Sequence, residues 1–210
     1  QTPLGEGELR TEIESFAKRS GFCLDNIFVI DGSRRSTKAN AYFSGLGSRK
    51  RVVLYDTLID ELTTEEIVAV LAHEIGHYKH RHTLQMLVVS VLNVFLMFYL
   101  FSWTLDIQFA EALGGSRPSF ALSLVSFSLL YTPIGLVTGV LINVLSRKNE
   151  YQADSFAGRF GLSEALVSGL KKITVKALSN LTPHPLYVKV YYSHPTLLQR
   201  IAKLYKMGKK

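Results

Sequence analysis

Among 210 residues there is a single cysteine, Cys23. An internal disulfide needs two, so a disulfide-stapled secreted scaffold is excluded. Charge is also scarce: Asp, Glu, Lys and Arg together make 20% of the chain, against 47% apolar residues. A chain this apolar buries enough surface to offset its ordering entropy, which excludes intrinsic disorder. No internal repeat and no low-complexity segment is present, and neither of the two long apolar runs is an N-terminal signal peptide, since each lies mid-chain and lacks a cleavage pattern. Acidic residues are outnumbered, 17 Asp and Glu against 24 Lys and Arg, for a net charge of +7. That excess suits an anionic membrane face or an acidic ligand; nucleic-acid binding has no supporting motif.

What the chain does have is a mean hydropathy of +0.16, high for a soluble domain. The excess sits in two blocks without any charged residue, 84–105 and 118–146. Runs of roughly 18 or more such positions read as membrane spans. Pro133, Gly135 and Gly139 in the second run would weaken a soluble helix, but membrane helices tolerate them. Lys79, His80, Arg81 and His82 precede the first run, and Arg147 and Lys148 follow the second, whereas the connecting segment 106–117 has only Arg117 as a cation. The positive-inside rule then predicts a hairpin with both outer ends in the cytoplasm. The bilayer is one partner, the membrane being a bacterial inner membrane or, in a eukaryote, the endoplasmic reticulum.

Outside the hairpin the pattern is mixed. Leu9, Ile13, Phe16 and Ala17 recur at helical spacing over 6–20, and 26–30, 39–44 and 52–55 read as strands. Thr63 and Glu66 stand at capping-box spacing and open a helix expected to run through Thr83. Further helices are expected over 147–161, 163–178 and 195–206. The expected fold is mostly α with a small β-sheet (α+β). The hairpin, 84–146, interrupts a catalytic domain made of 1–83 and 147–210.

The chemistry begins with His73-Glu74-Ile75-Gly76-His77. Histidines at i and i+4 share one helix face and can both bind one tetrahedral zinc ion, with the adjacent glutamate in reach of an activated water. Gly76 leaves room beside the metal. A catalytic zinc wants a third protein ligand and an open position, and Glu150 supplies a candidate just beyond the second run. With each span continued as one helix at ~1.5 Å per residue, His77 lies about 10 Å and Glu150 about 6 Å below the span ends. An antiparallel hairpin therefore brings both to similar depth on one side of the membrane. Asp154, one turn after Glu150, can accept the second N–H of a ligating histidine and fix its tautomer. The expected cofactor is one Zn2+ per chain.

HEIGH with the Glu150 and Asp154 pair resembles the integral-membrane gluzincins. With the runs 35–45 and 193–200, and the opening segment 3–9, it resembles the type I CAAX prenyl protease family over nearly the whole chain. That family has further spans before this region, so the resemblance implies a C-terminal portion of a longer protein. The short segment between Leu54 and HEIGH suggests a bacterial-type relative whose substrate need not be prenylated. The resemblance implies a peptide or protein substrate, Glu74 as general base and His194 as the donor to the developing oxyanion. It also implies an edge strand with Asn40, Ala41 and Tyr42 that pairs with the substrate backbone, and Arg200 in the same wall of the site. Two alternatives remain at this point: an HtpX-like membrane quality-control protease, and a non-catalytic scaffold stabilised by metal.

Overall fold

The computed structural model describes residues 2–32, 41–44, 50–117 and 119–207, with 41–44 described as backbone. In chain order these form β1 (Thr2–Pro3), α1 (Glu8–Arg19), β2 (Leu24–Ile30), β3 (Ala41–Ser44), β4 (Lys50–Tyr55), α2 (Asp56–Glu61) and α3 (Thr64–Lys79). There follow α4 (His82–Trp103), α5 (Ile107–Ala112), α6 (Phe120–Arg159), α7 (Ser163–Lys176), α8 (Pro185–Tyr191) and α9 (Leu197–Met207). The expected mostly helical fold with a small sheet is what forms.

Two compact units emerge. The first gathers Gln1–His80, Lys148–Pro183 and Pro195–Lys210; the second gathers Arg81–Arg147 and His184–His194. The segment 184–194, which the sequence reading leaves within the catalytic part, thus packs with the hairpin helices.

In the first unit a four-stranded sheet has the order β1-β2-β4-β3. β2 and β4 run parallel, with Ile27 opposite Val52 and Val29 opposite Leu54, and β3 closes the edge antiparallel to β4. Parallel neighbours buried on both faces read as continuous apolar runs, and the Val52-Val53-Leu54 run of β4 is fully buried. Ile13 and Phe16 of α1, Leu71 of α3, Leu166 of α7 and Leu204 of α9 complete one core with the sheet. Each such side chain contributes about 1.5–3 kcal/mol on burial.

α3 starts where the capping box predicts. Thr63 Oγ1 accepts from Glu66 N–H at 3.3 Å, and Glu66 Oε2 accepts from Thr63 N–H at 2.8 Å. Its end differs from the expectation. The helix stops at Lys79, Arg81 adopts a left-handed backbone (φ 56°), and α4 begins afresh at His82. The continuous rod from HEIGH into the first span, used above to estimate depth, is therefore two helices. α6 by contrast is one helix of 40 residues, running through Pro133.

In the second unit α4 and α6 are long and apolar enough to cross a membrane. Their large apolar side chains, among them Phe95, Phe98, Leu129 and Leu141, are exposed in the protein alone. The connection between them holds α5, capped by Asp106, whose Oδ1 accepts from Gln108 N–H at 3.2 Å.

Candidate metal centre

Two helices of the first unit build the site. α3 contributes His73, Glu74 and His77, and the C-terminal part of α6 contributes Glu150 and Asp154. Gly76 decides how close these helices come. A Cβ there would lie 2.9 Å from Ala153 Cα and 3.0 Å from Phe156 Cβ. The space that Gly76 spares is thus occupied by the backbone of α6, not kept open beside a metal as the sequence reading expects.

That approach brings the donors together. His73 Nε2 and His77 Nε2 are 3.1 Å apart. Glu150 faces both, Oε2 lying 3.5 Å from His73 Nε2 and Oε1 3.4 Å from His77 Nε2. Ligands at the usual zinc bond length of about 2.0–2.2 Å in a tetrahedron stand about 3.3–3.6 Å from one another. Two imidazoles and one carboxylate at near those separations form a donor set that can hold a metal ion and leave a fourth position open. The donors are largely shielded, with His73 and Glu150 buried and His77 half-buried.

Behind His73 stands a second layer. Asp154 Oδ1 is 2.9 Å from His73 Nδ1, and Asp154 is fully buried. With Nδ1 donating to Asp154, Nε2 keeps its lone pair directed at the other donors. A buried carboxylate with one neutral partner would be costly, and Arg200 of α9 answers that cost. Its Nε donates to Asp154 Oδ2 at 3.0 Å and its Nη2 to Oδ1 at 2.6 Å, a two-pronged fork. Nη2 also lies 3.3 Å from His73 Nδ1, and Nη1 3.6 Å from Glu150 Oε2.

The protonation balance follows from these contacts. Burial would raise the Glu150 pKa, but hydrogen bonds with His73 and His77 outweigh it and hold the carboxyl well below its usual range. Asp154 is likewise depressed: burial opposes its charge, and His73 and Arg200 prevail. Burial would lower the His73 pKa, yet its bonds to Asp154 and Glu150 raise it in the polypeptide by itself. Arg200 is raised above its ordinary value, since Asp154, with weaker help from Glu150 and Glu74, overcomes desolvation. Both carboxylates are therefore anions, Glu150 beside the two imidazoles and Asp154 behind His73.

The other expected residues distribute as follows. Glu74, next to His73 on α3, is half-buried. Ala41 and Tyr42 belong to β3, which is the edge strand of the sheet and packs beside α3. Asn40 lies outside the described residues. His194 belongs to the second unit, with Nδ1 2.9 Å from Ser193 Oγ.

A region of α3 that the sequence reading treats as a cap alone does more. Glu66 also accepts from Ser168 Oγ at 2.6 Å and from Lys172 Nζ at 2.6 Å, tying the HEIGH helix to α7. Burial opposes its charge, but Lys172, Ser168 and the Thr63 N–H lower its pKa. No sequence spacing links residue 66 to residues 168 and 172; only the capping-box pattern marked it.

The sequence pattern of "Peptidase family M48" matches residues 3–207. The chain belongs to peptidase family M48. "CAAX prenyl protease 1" of Saccharomyces cerevisiae is 42% identical to this M48 chain over 220 residues, covering 97% of the chain and 49% of the yeast protein. The "CAAX prenyl protease 1 homolog" of Homo sapiens is 34% identical, covering 97% of the chain and 51% of that protein. The crystal structure of S. mikatae Ste24p superposes with a TM-score of 0.82 at 40% identity, over 97% of this chain and 50% of that one. The chain spans about half the length of the curated relatives it matches. The resemblance to CAAX prenyl proteases read from the motifs holds, and these named relatives are eukaryotic, not bacterial.

Proposed function

We propose that this chain carries the catalytic centre of an integral-membrane zinc endopeptidase of the CAAX prenyl protease type. The observation that carries the reading is the triangle of His73, His77 and Glu150 donors, with Asp154 seated behind His73. His73, His77 and Glu150 would hold one zinc ion, and His2Glu is a donor set suited to zinc with an open position. When bound, zinc polarises the scissile carbonyl and lowers the pKa of the attacking water.

The protein's own groups supply the rest. Glu74 takes the proton from the attacking water and passes it to the leaving amine. Asp154 keeps the His73 ring in the tautomer that offers Nε2, and Arg200 holds Asp154 ionised and in place. His194 donates to the oxyanion that develops on the carbonyl. The edge strand with Asn40, Ala41 and Tyr42 lays the substrate out by β-augmentation, the substrate main chain pairing along β3. Arg200, whose Nε and Nη2 are committed to Asp154 and whose Nη1 lies 3.6 Å from Glu150 Oε2, stands in the wall of the site that meets a substrate carbonyl or carboxylate. The substrate is a peptide or protein, prenylated in the case most like the relatives. The protein is multi-pass, and its active site faces the cytoplasm.

The test compares wild type with Glu74→Gln on a farnesylated CAAX peptide and on an unfolded membrane protein. Wild type is expected to cleave the prenylated peptide in a manner that a chelator abolishes and zinc restores. Glu74→Gln is expected to keep its metal and lose cleavage by about 10²–10⁴-fold, the usual worth of a general base. Near-normal turnover by the variant would refute the assignment of the base, and cleavage of the unfolded protein alone would favour a quality-control enzyme.

A further inference from the structure

The second unit contains a short helix whose attachment differs from ordinary packing. α8 ends with its carbonyls turned toward two side chains of α6. Asn143 Nδ2 donates to Val190 O at 2.7 Å, and Arg147 donates to Val188 O and Lys189 O at 3.2 and 3.1 Å and also to Tyr192 O. The last carbonyls of a helix lack partners within it, and a cation there also meets the negative end of the helix dipole. Asn143 and Arg147 are four residues apart and share one face of α6. They stand at the last turn of its charge-free run, which ends at Ser146. α8 is thus pinned within one side chain of the point where the apolar run gives way to charge.

Its surface fits that level. Val188 is turned inward at 4% exposure, while Leu186, Tyr187 and Tyr191 are 62, 54 and 61% exposed. At 100° per residue Leu186, Tyr187 and Tyr191 share one side of the helix, and the two tyrosine rings are 4.9 Å apart. Lys189 lies off that side and is exposed. Tyrosines with a neighbouring lysine and leucine make the composition that settles at the boundary between headgroups and acyl chains. The large apolar residues of α4 and α6 are exposed in the same unit, so α8 belongs to a unit whose surface is already suited to lipid.

We infer that α8 is an interfacial membrane helix, with Leu186, Tyr187 and Tyr191 seated in the headgroup–acyl boundary of an anionic phospholipid leaflet and Lys189 at its phosphates. The inference rests on α4 and α6 crossing the membrane. It gives the segment Ser193-His194, which follows α8 directly, a lipid-supported anchor that the sequence reading does not foresee.

Trp103 is the chain's one tryptophan and allows a clean test. The wild-type protein, and Tyr187→Trp in a Trp103→Phe background, are reconstituted into phosphatidylcholine–phosphatidylglycerol vesicles. The lipids carry bromine either near the head or near the end of the acyl chain. An interfacial helix reaches about 5–10 Å into the boundary, so shallow bromines are expected to quench the residue-187 tryptophan at least about twofold more than deep ones. Trp103, at the end of α4, reports independently whether the spans are inserted. Quenching of Trp103 with none at position 187, or deeper quenching at 187, overturns the inference alone. Absence of quenching at both overturns the membrane reading beneath it. Tyr191→Trp in the same background repeats the measurement should Tyr187→Trp fail to fold, with the same outcomes.

Discussion

Replacing Gly76 by alanine tests whether the α3–α6 approach builds the metal centre. In an exposed helix interior this change stabilises by about 0.8–1.0 kcal/mol, since alanine is the better helix former. Here the new Cβ would stand 2.9 Å from Ala153 Cα and 3.2 Å from Ala153 O. Ordinary carbon contacts begin at about 3.5–4.0 Å, so the helices must part by about 0.6–1.1 Å. The obstacle is backbone, which cannot swing aside, and overpacking of this kind costs about 1–3 kcal/mol. The clash at least cancels the propensity, and the net loss expected is about 0–2 kcal/mol. The damage is directional. His73 and His77 ride together on α3, so their 3.1 Å separation survives, whereas the 3.4 and 3.5 Å distances to Glu150 on α6 lengthen. Metal–ligand bonds tolerate only about 0.2 Å, so metal affinity is expected to fall about 10–100-fold, as when supporting groups are lost. Thermal unfolding with and without zinc, beside a competition titration with a chromogenic chelator, measures both quantities. A raised Tm together with unchanged affinity would show that Gly76 is an ordinary helix position and that the close approach is not what assembles the donors.

Glu150→Ala removes the third ligand and is expected to yield purified protein without stoichiometric zinc by elemental analysis, while far-UV circular dichroism stays helical. Arg200→Ala strips the fork from a fully buried Asp154 and is expected to cost about 3–5 kcal/mol of stability and about 10–100-fold in zinc affinity. Arg200→Lys, a point charge without the fork, should fall between the two, and equality with wild type would remove the positioning role. Glu66 has a folded pKa below its ordinary 4.5. Its stabilisation is therefore complete above that value and is lost as pH falls through the depressed one. Glu66→Gln should destabilise by about 1–3 kcal/mol at neutral pH and flatten the acid limb of a Tm–pH curve below about pH 4.5; an unchanged acid limb would count against the Ser168–Lys172 tie.

Much of this protein is legible in one dimension because the physics there is local. HEIGH puts two imidazoles on one helix face whatever the surroundings, since the period of the helix alone aligns i and i+4. The capping box at Thr63 and Glu66 is a contact between neighbours in sequence, and it forms as read. The charge-free runs identify two lipid-compatible helices because a bilayer responds to composition over about 20 residues and not to particular partners.

What lies beyond is non-local. Nothing near residue 81 in the sequence signals that its backbone turns left-handed and divides the HEIGH helix from the first span. Gly76 reads as a small residue near a metal, and only the packed helices reveal that Ala153 fills its place. Arg200 reads as part of the wall of the site until α9 docks and sets it against Asp154, 46 positions away. Arg147 reads as one charge in an orientation rule, yet it carries the carbonyls of a helix more than 40 residues on. In each case a buried carboxylate, carbonyl or backbone atom requires a partner that chain order does not supply. The sequence thus determined the donor types, their helical spacing and the lipid-compatible runs. Tertiary packing decided the separations between donors, the ionised state of the carboxylates and the residue that supports them, because burial makes each of those contacts obligatory only once the helices have met.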